Sequence, residues 1–189
     1  KIPKIKFIFF GNEQKITPLL KEKDIFNISK IVHTNQVITN DIKPTEALRK
    51  FKKSSMYKAI ESVKSGKSNA VVSSGNTGAL MVISTVLMKT INGINRPAIA
   101  TMFPTKKSET VMLDLGANIE CDVKNILDFA IMGNIFSKTV LGIKKPKIGL
   151  LNVGSEILKG NKIIQTASDR LTKEKYIDFY GFIEGNDIP

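Results

Sequence analysis

Tryptophan is absent from the 189-residue chain, cysteine and histidine occur once each, as Cys121 and His33, and arginine occurs three times. Each scarcity excludes a class of chemistry. One cysteine cannot form an internal disulfide, which is the expectation for an intracellular, cytoplasmic protein. One cysteine and one histidine cannot supply a Cys/His zinc site, and no metal cluster or other cofactor is expected. A Cys–His or Ser–His nucleophile would have to use His33 itself. That residue ends a short apolar run and reads as structural, and Cys121 reads as inert packing. Long hydrophobic runs are also missing. The longest apolar stretch, 78–88, carries Ser84 and Thr85 and is too short to cross a bilayer. It reads as a buried helix.

Positive charge, by contrast, is in excess. Lysine and arginine total 29 against 17 acidic residues, a formal net charge of +12 with pI near 9.7. Such a balance points to an acidic partner: nucleic acid, a membrane surface or an acidic protein. Of the basic residues 26 are lysines, scattered with no run beyond two. Arginine, the residue suited to bidentate phosphate and base recognition, is nearly missing. Nucleic acid is therefore not expected, and an acidic protein fits scattered lysines at least as well. The bland alternative is compositional, since lysine, isoleucine and asparagine are what an A/T-rich genome over-produces.

Periodicity predicts alternating elements. Strands are expected at 6–10, 28–33, 70–73, 98–103, 111–115, 147–153 and 177–183. Helices are expected at 14–23, 45–64 (breaking near Ser54-Ser55), 77–91, 123–140 and 161–173. Pro44 suits a helix start and Gly66 a helix end. The pair 98–103 and 111–115, joined by the polar turn KKSE, reads as an antiparallel excursion. The rest predicts an α/β fold with a mostly parallel sheet and helices on both faces. Neither end reads as a natural terminus, so 1–189 is expected to be one α/β catalytic domain cut from a longer chain.

Strand after strand ends in glycine beside Asn, Asp or Glu: FFGN, SSGNTG, DLGAN, NVGSE and IEGND. In a parallel sheet the carboxyl ends share one edge, where ligands bind, so these loops are expected to form a polar site. In SSGNTGALM, Asn76 or Thr77 can cap a helix whose free N–H groups attract an anion. Gly75 and Gly78 would let the backbone approach a ligand. The spacing is neither that of a Walker A loop nor that of a dinucleotide fingerprint, so a small anion such as phosphate is expected rather than a nucleotide. Asp114, near a strand end, could act as a base or orient a ligand group, or merely form an Asx-type turn, and Asn118 lies past that tight turn. Asn152, Glu156, Lys159 and Asn161 surround another loop, with Lys159 the best-placed cation.

SSGNTGALM, INGINRPAIAT, LDLGANIECD, FAIMGNIF, GLLNVGSEILKGN and FIEGNDI, preceded by KPTEALRKFKKSSM, stand in an order that resembles the PlsX family of acyl-[acyl carrier protein]:phosphate acyltransferases. The resemblance covers nearly the whole chain. It implies a Rossmann-like three-layer fold resembling that of isopropylmalate dehydrogenase. It also implies transfer of a fatty acyl group from acyl carrier protein to inorganic phosphate for phospholipid synthesis, a homodimer, and peripheral association with the inner membrane face. It implies further that the family's N-terminal strand and loop would precede Lys1 and that a C-terminal portion would follow Pro189. The family's usual Ser-Ala-Gly-Asn is Ser73-Ser74-Gly75-Asn76 here, and of its acidic residues around 155–157 only Glu156 remains. On this reading Asn76, Asp114 and Lys159 are the candidate catalytic residues. Ser74, Gly75, Thr77, Gly78, Asn118, Asn152, Glu156 and Asn161 are candidates for binding phosphate or an oxyanion. The alternatives are a phosphotransacetylase-like enzyme using acyl-CoA and a non-catalytic basic binding module.

Overall fold

The computed structural model describes residues 5–106, 108–116, 118, 120–152 and 161–188. The chain divides into two compact units, 1–90 and 91–189.

In the first unit, β1 (Phe7–Gly11) and β2 (Ser29–His33) pair in parallel, from Phe7 opposite Ser29 to Gly11 opposite His33. Helix α1 (Glu13–Glu22) connects them and starts at Asn12, whose side chain accepts from the Lys15 amide at 3.2 Å. The expected long helix breaks where the serine pair sits. Helix α2 (Pro44–Lys50) begins on its proline, and α3 (Ser55–Lys64) is capped by the buried Ser54. Gly66, at φ +71°, turns the chain out of α3 in a left-handed conformation that favours glycine. Helix α4 (Thr77–Met88) follows. Apolar residues at helical spacing meet here: Ile38, Ala47, Met56, Ile60, Ala79 and Ile83 form the buried core of α2, α3 and α4.

Two expectations need correction in this unit. Residues 70–73 form no strand among the described residues, and Val72 is 97% exposed. An apolar run signals a tendency to be buried, but a strand exists only where a neighbouring backbone completes its hydrogen bonds. Helix α4 is apolar on all sides but not buried on all sides. Ala79 and Ile83 are covered, while Val86 and Met88 are about half exposed, because α2 and α3 cover one face.

In the second unit, β3 (Ala100–Pro104) and β4 (Glu109–Leu113) form the expected antiparallel excursion. Its turn is closed by Thr105 N–H donating to the Ser108 carbonyl at 2.8 Å. Helix α5 (Val123–Val140) opens on a reciprocal cap: Asp122 accepts from the Asn125 amide, and the Asn125 side chain accepts from the Asp122 amide. Strands β5 (Lys147–Leu151) and β6 (Asp178–Ile183) pair in parallel on either side of α6 (Lys162–Leu171). Parallel partners need a crossover element between them, and α1 and α6 are those elements. Among the described residues the strands pair in three two-stranded sheets, two parallel and one antiparallel, rather than in the one continuous sheet expected. The fold is mixed α/β with short parallel strands.

Candidate active site

The residues around 73–79 are built outward from α4. Asn76 is its N-cap, and the side-chain oxygen accepts from the Ala79 amide at 2.9 Å. The same side chain's amide group donates to the carbonyls of Ile42 (3.0 Å), Thr39 (3.2 Å) and Asn40 (3.4 Å). Two N–H bonds are thus shared among three acceptors. The carboxamide is fully occupied: it ties the 39–42 segment to the start of α4. The Thr39 hydroxyl in that segment holds the exposed Asp41 carboxyl below its ordinary range.

The glycines of this loop serve close packing by the protein itself. A Cβ at Gly78 would lie 2.8 Å from Cγ of Pro44, the first residue of α2, and one at Gly75 would lie 3.0 Å from the Met56 methyl. Gly78 therefore admits the rigid Pro44 ring. The Gly75 amide donates to the Ser73 hydroxyl at 3.2 Å, while Ser74 and Thr77 are exposed. With Asn76 taking the Ala79 amide, the amides of Thr77 and Gly78 keep no acceptor among the described residues. The first turn carries no acidic side chain. These two N–H groups sit at the positive end of the helix dipole, where an anion is favoured.

Asp114 and Asn118 come together in the second unit. Asp114 follows β4 with φ +63°, a conformation that Asp tolerates better than most residues. One carboxylate oxygen accepts from both the backbone amide (3.2 Å) and the side-chain amide (3.0 Å) of Asn118. The Asn118 side chain also donates to the Pro97 carbonyl at 3.0 Å. The other carboxylate oxygen accepts from the Cys121 thiol at 3.5 Å. Burial pushes the Cys121 thiol up, and the Asp114 carboxylate pushes it further in the same direction. Cys121 is held as the neutral thiol, the poorer nucleophile. Alkylation by iodoacetamide at about pH 8 is expected to be slower than for free cysteine; labelling as fast as a small-molecule thiol would overturn this assignment.

Asn161 caps α6 by accepting from the Ile164 amide at 3.0 Å. The Asn152 amide extends the β5–β6 ladder by donating to the Ile183 carbonyl at 2.9 Å. Glu156 and Lys159 lie outside the described residues. His33 accepts the Glu13 amide on Nδ1 at 3.2 Å, the structural use expected of it. Asn12 and Asn76, two of the asparagines in the glycine-bearing motifs, are helix caps, as is Asn161. Sequence reasoning missed the 39–42 segment: Pro44 signals only a helix start, and nothing in TNDIK marks the carbonyls that hold Asn76.

All 189 residues match the family described as "Fatty acid synthesis protein". The chain is 47% identical to the phosphate acyltransferase of Paramagnetospirillum magneticum and 48% identical to that of Rhodospirillum centenum, in each case over 100% of this chain and 54% of the relative. It is 43% identical to the phosphate acyltransferase of Coxiella burnetii, over 100% of this chain and 56% of the relative. The chain thus spans about half the length of the curated relatives it matches. In fold it is similar to the solved EutD phosphotransacetylase from Staphylococcus aureus, with a TM-score of 0.55 at 18% identity over 93% of this chain and 59% of that one. On the full-length family match and these identities, the chain belongs to the fatty acid synthesis protein family, the PlsX family that its motif order resembles.

Proposed function

We propose that the protein transfers a fatty acyl group from acyl carrier protein to inorganic phosphate, releasing an acyl phosphate for phospholipid synthesis. The observation that carries this reading is the similarity of the whole chain to relatives named phosphate acyltransferase. The free amides of Thr77 and Gly78 support it by offering a place for the anion. A phosphate oxygen attacks the thioester carbonyl, a C–O bond forms, the C–S bond breaks, and the proton leaving phosphate ends on the carrier's thiol. Phosphate is itself the nucleophile, so the work of the protein is to position it and to stabilise the developing oxyanion. Backbone N–H groups at a helix start suit the first task, with the hydroxyls of Ser74 and Thr77 beside them. Asn76 acts as the residue that fixes this helix start. Asp114 with Asn118, Asn152, Asn161, and Lys159 with Glu156 are further assignments to be tested one by one.

The finer fold assignment, a three-layer Rossmann-like architecture of the isopropylmalate dehydrogenase type acting as one catalytic domain, belongs to the same proposal. So do a homodimer, a cytoplasmic location and peripheral attachment to the membrane; among the described residues no helix is long and apolar enough to cross one. The test is turnover by the full-length protein given acyl carrier protein thioester and phosphate. Free carrier and acyl phosphate are expected in equal amounts, and only when phosphate is present. No phosphate-dependent release, or release from acyl-CoA alone, overturns the reading.

A further inference from the structure

Between residues 43 and 67 the chain carries eight basic and two acidic residues, so a short segment holds half of the net charge of +12. The densest part is the junction of α2 and α3, where Arg49, Lys50, Lys52 and Lys53 fall within five positions and all are exposed. Only Lys50 has a carboxylate partner among the described residues, Glu46 at 3.1 Å. Arg49 and Lys50 suit the last turn of α2. Lys52 and Lys53, however, immediately precede the N-terminus of α3, whose first turn has no acidic residue. Cations there oppose the helix dipole and one another. Stability does not account for this placement.

The turn is also held rigidly from below. The Thr34 hydroxyl, buried at the end of β2, donates to the Lys53 carbonyl at 2.6 Å. The Gln36 side-chain oxygen accepts from the Lys53 amide at 3.0 Å, and its amide group donates to the Lys50 carbonyl at 3.4 Å. The Gln36 carbonyl accepts from the Ser55 amide at 3.1 Å. With the backbone of residues 50–55 engaged on this side, the charged side chains stand on a fixed platform. Preorganisation of this kind lowers the entropy cost of binding a partner.

We infer that the α2–α3 junction is a docking surface for the acidic face of a carrier protein, with Arg49, Lys52 and Lys53 as its charged contacts. The identity of the carrier rests on the acyltransfer reading above; the surface itself does not. No large apolar side chain between 43 and 67 is exposed, so the surface lacks the anchor with which a peripheral protein enters a bilayer. Three of its four cations are lysines, point charges suited to steering a carboxylate-rich partner into a transient encounter.

The test replaces Arg49→Glu, Lys52→Glu and Lys53→Glu together in the full-length protein. A control of equal charge change, Lys138→Glu, Lys144→Glu and Lys145→Glu, is made in the other unit. Binding of acyl carrier protein and its kcat and KM as donor are measured at about 50 and 200 mM salt. The junction variant is expected to raise Kd and KM on the order of tenfold at the lower salt, with kcat within about twofold and a shallower salt dependence. The control should change neither by more than about twofold. If the reversal does not fold, the glutamine triple variant carries the same comparison. Unchanged affinity, or an equal loss in the control, overturns the inference. So does loss of binding to anionic vesicles with carrier binding retained, which would make this a membrane surface. Carrier binding at this surface without acyl transfer would support the docking site and overturn only the reaction.

Discussion

Asn76→Ala is expected to cost about 2 kcal/mol of stability and to remove most of the phosphate-dependent turnover. Loss of an N-cap costs roughly 1 kcal/mol. Losing the donor that serves Thr39, Asn40 and Ile42 adds about as much, chiefly because the partly buried Ile42 carbonyl is left without a partner, the other two carbonyls being exposed to water. Asn76→Asp separates the two roles. An aspartate still accepts from the Ala79 amide and suits the helix dipole, but it turns an acceptor toward three carbonyl oxygens. It also adds negative charge beside the Thr77 and Gly78 amides. This variant is expected to be destabilised despite its better cap and to raise the KM for phosphate more than it lowers kcat. Urea unfolding and phosphate saturation curves measure both. An Asn76→Ala variant within about 0.5 kcal/mol of wild type, or Asn76→Asp with unaltered phosphate saturation, would remove this side chain from the site.

Ile60→Ala is expected to have the larger effect on stability alone. Ile60 is fully buried on α3 in the cluster that includes Ala47 of α2 and Ala79 and Ile83 of α4. Removing its branched side chain loses transfer energy and leaves a cavity, together about 3–4 kcal/mol, a large share of the roughly 5–15 kcal/mol that holds a domain folded. The urea midpoint should fall with little change in slope. Leu19→Ala, at a side chain 58% exposed, should move it by less than about 0.5 kcal/mol. Equal losses at the two positions would mean that the α2–α3–α4 cluster is not the core of this unit.

Local signals were readable from the residues to the extent that local physics decides them. Helix α5 begins and ends where its apolar spacing and the Asp122 cap place it, and α2 and α3 separate at Ser54 because that side chain caps the second helix. The antiparallel excursion followed from two apolar runs around a polar turn. The order of motifs along the chain pointed to the family. Ala70, Val71 and Val72 have the apolar character of a buried strand, yet pairing is a property of a neighbour and not of the run. Asn76 could be recognised as a cap, but its three other acceptors lie more than thirty residues earlier and come into reach only through the packing of α2 on α4. The cationic junction is diluted in a lysine-rich composition, and the side chains that fix its backbone, Thr34 and Gln36, lie well before it in the sequence.

The seating of Pro44 against Gly78 has a bearing on redesign. Replacing a helical glycine by alanine ordinarily stabilises a protein by about 0.4–1 kcal/mol, through a less flexible unfolded chain. At Gly78 that route is closed, because the new methyl would meet a proline ring that has no rotamer to escape into. Thermostabilising this chain by glycine replacement would spread the first turns of α2 and α4 apart at the point where the Thr77 and Gly78 amides are presented. Any such programme would have to leave residue 78 untouched or shrink residue 44 in the same step.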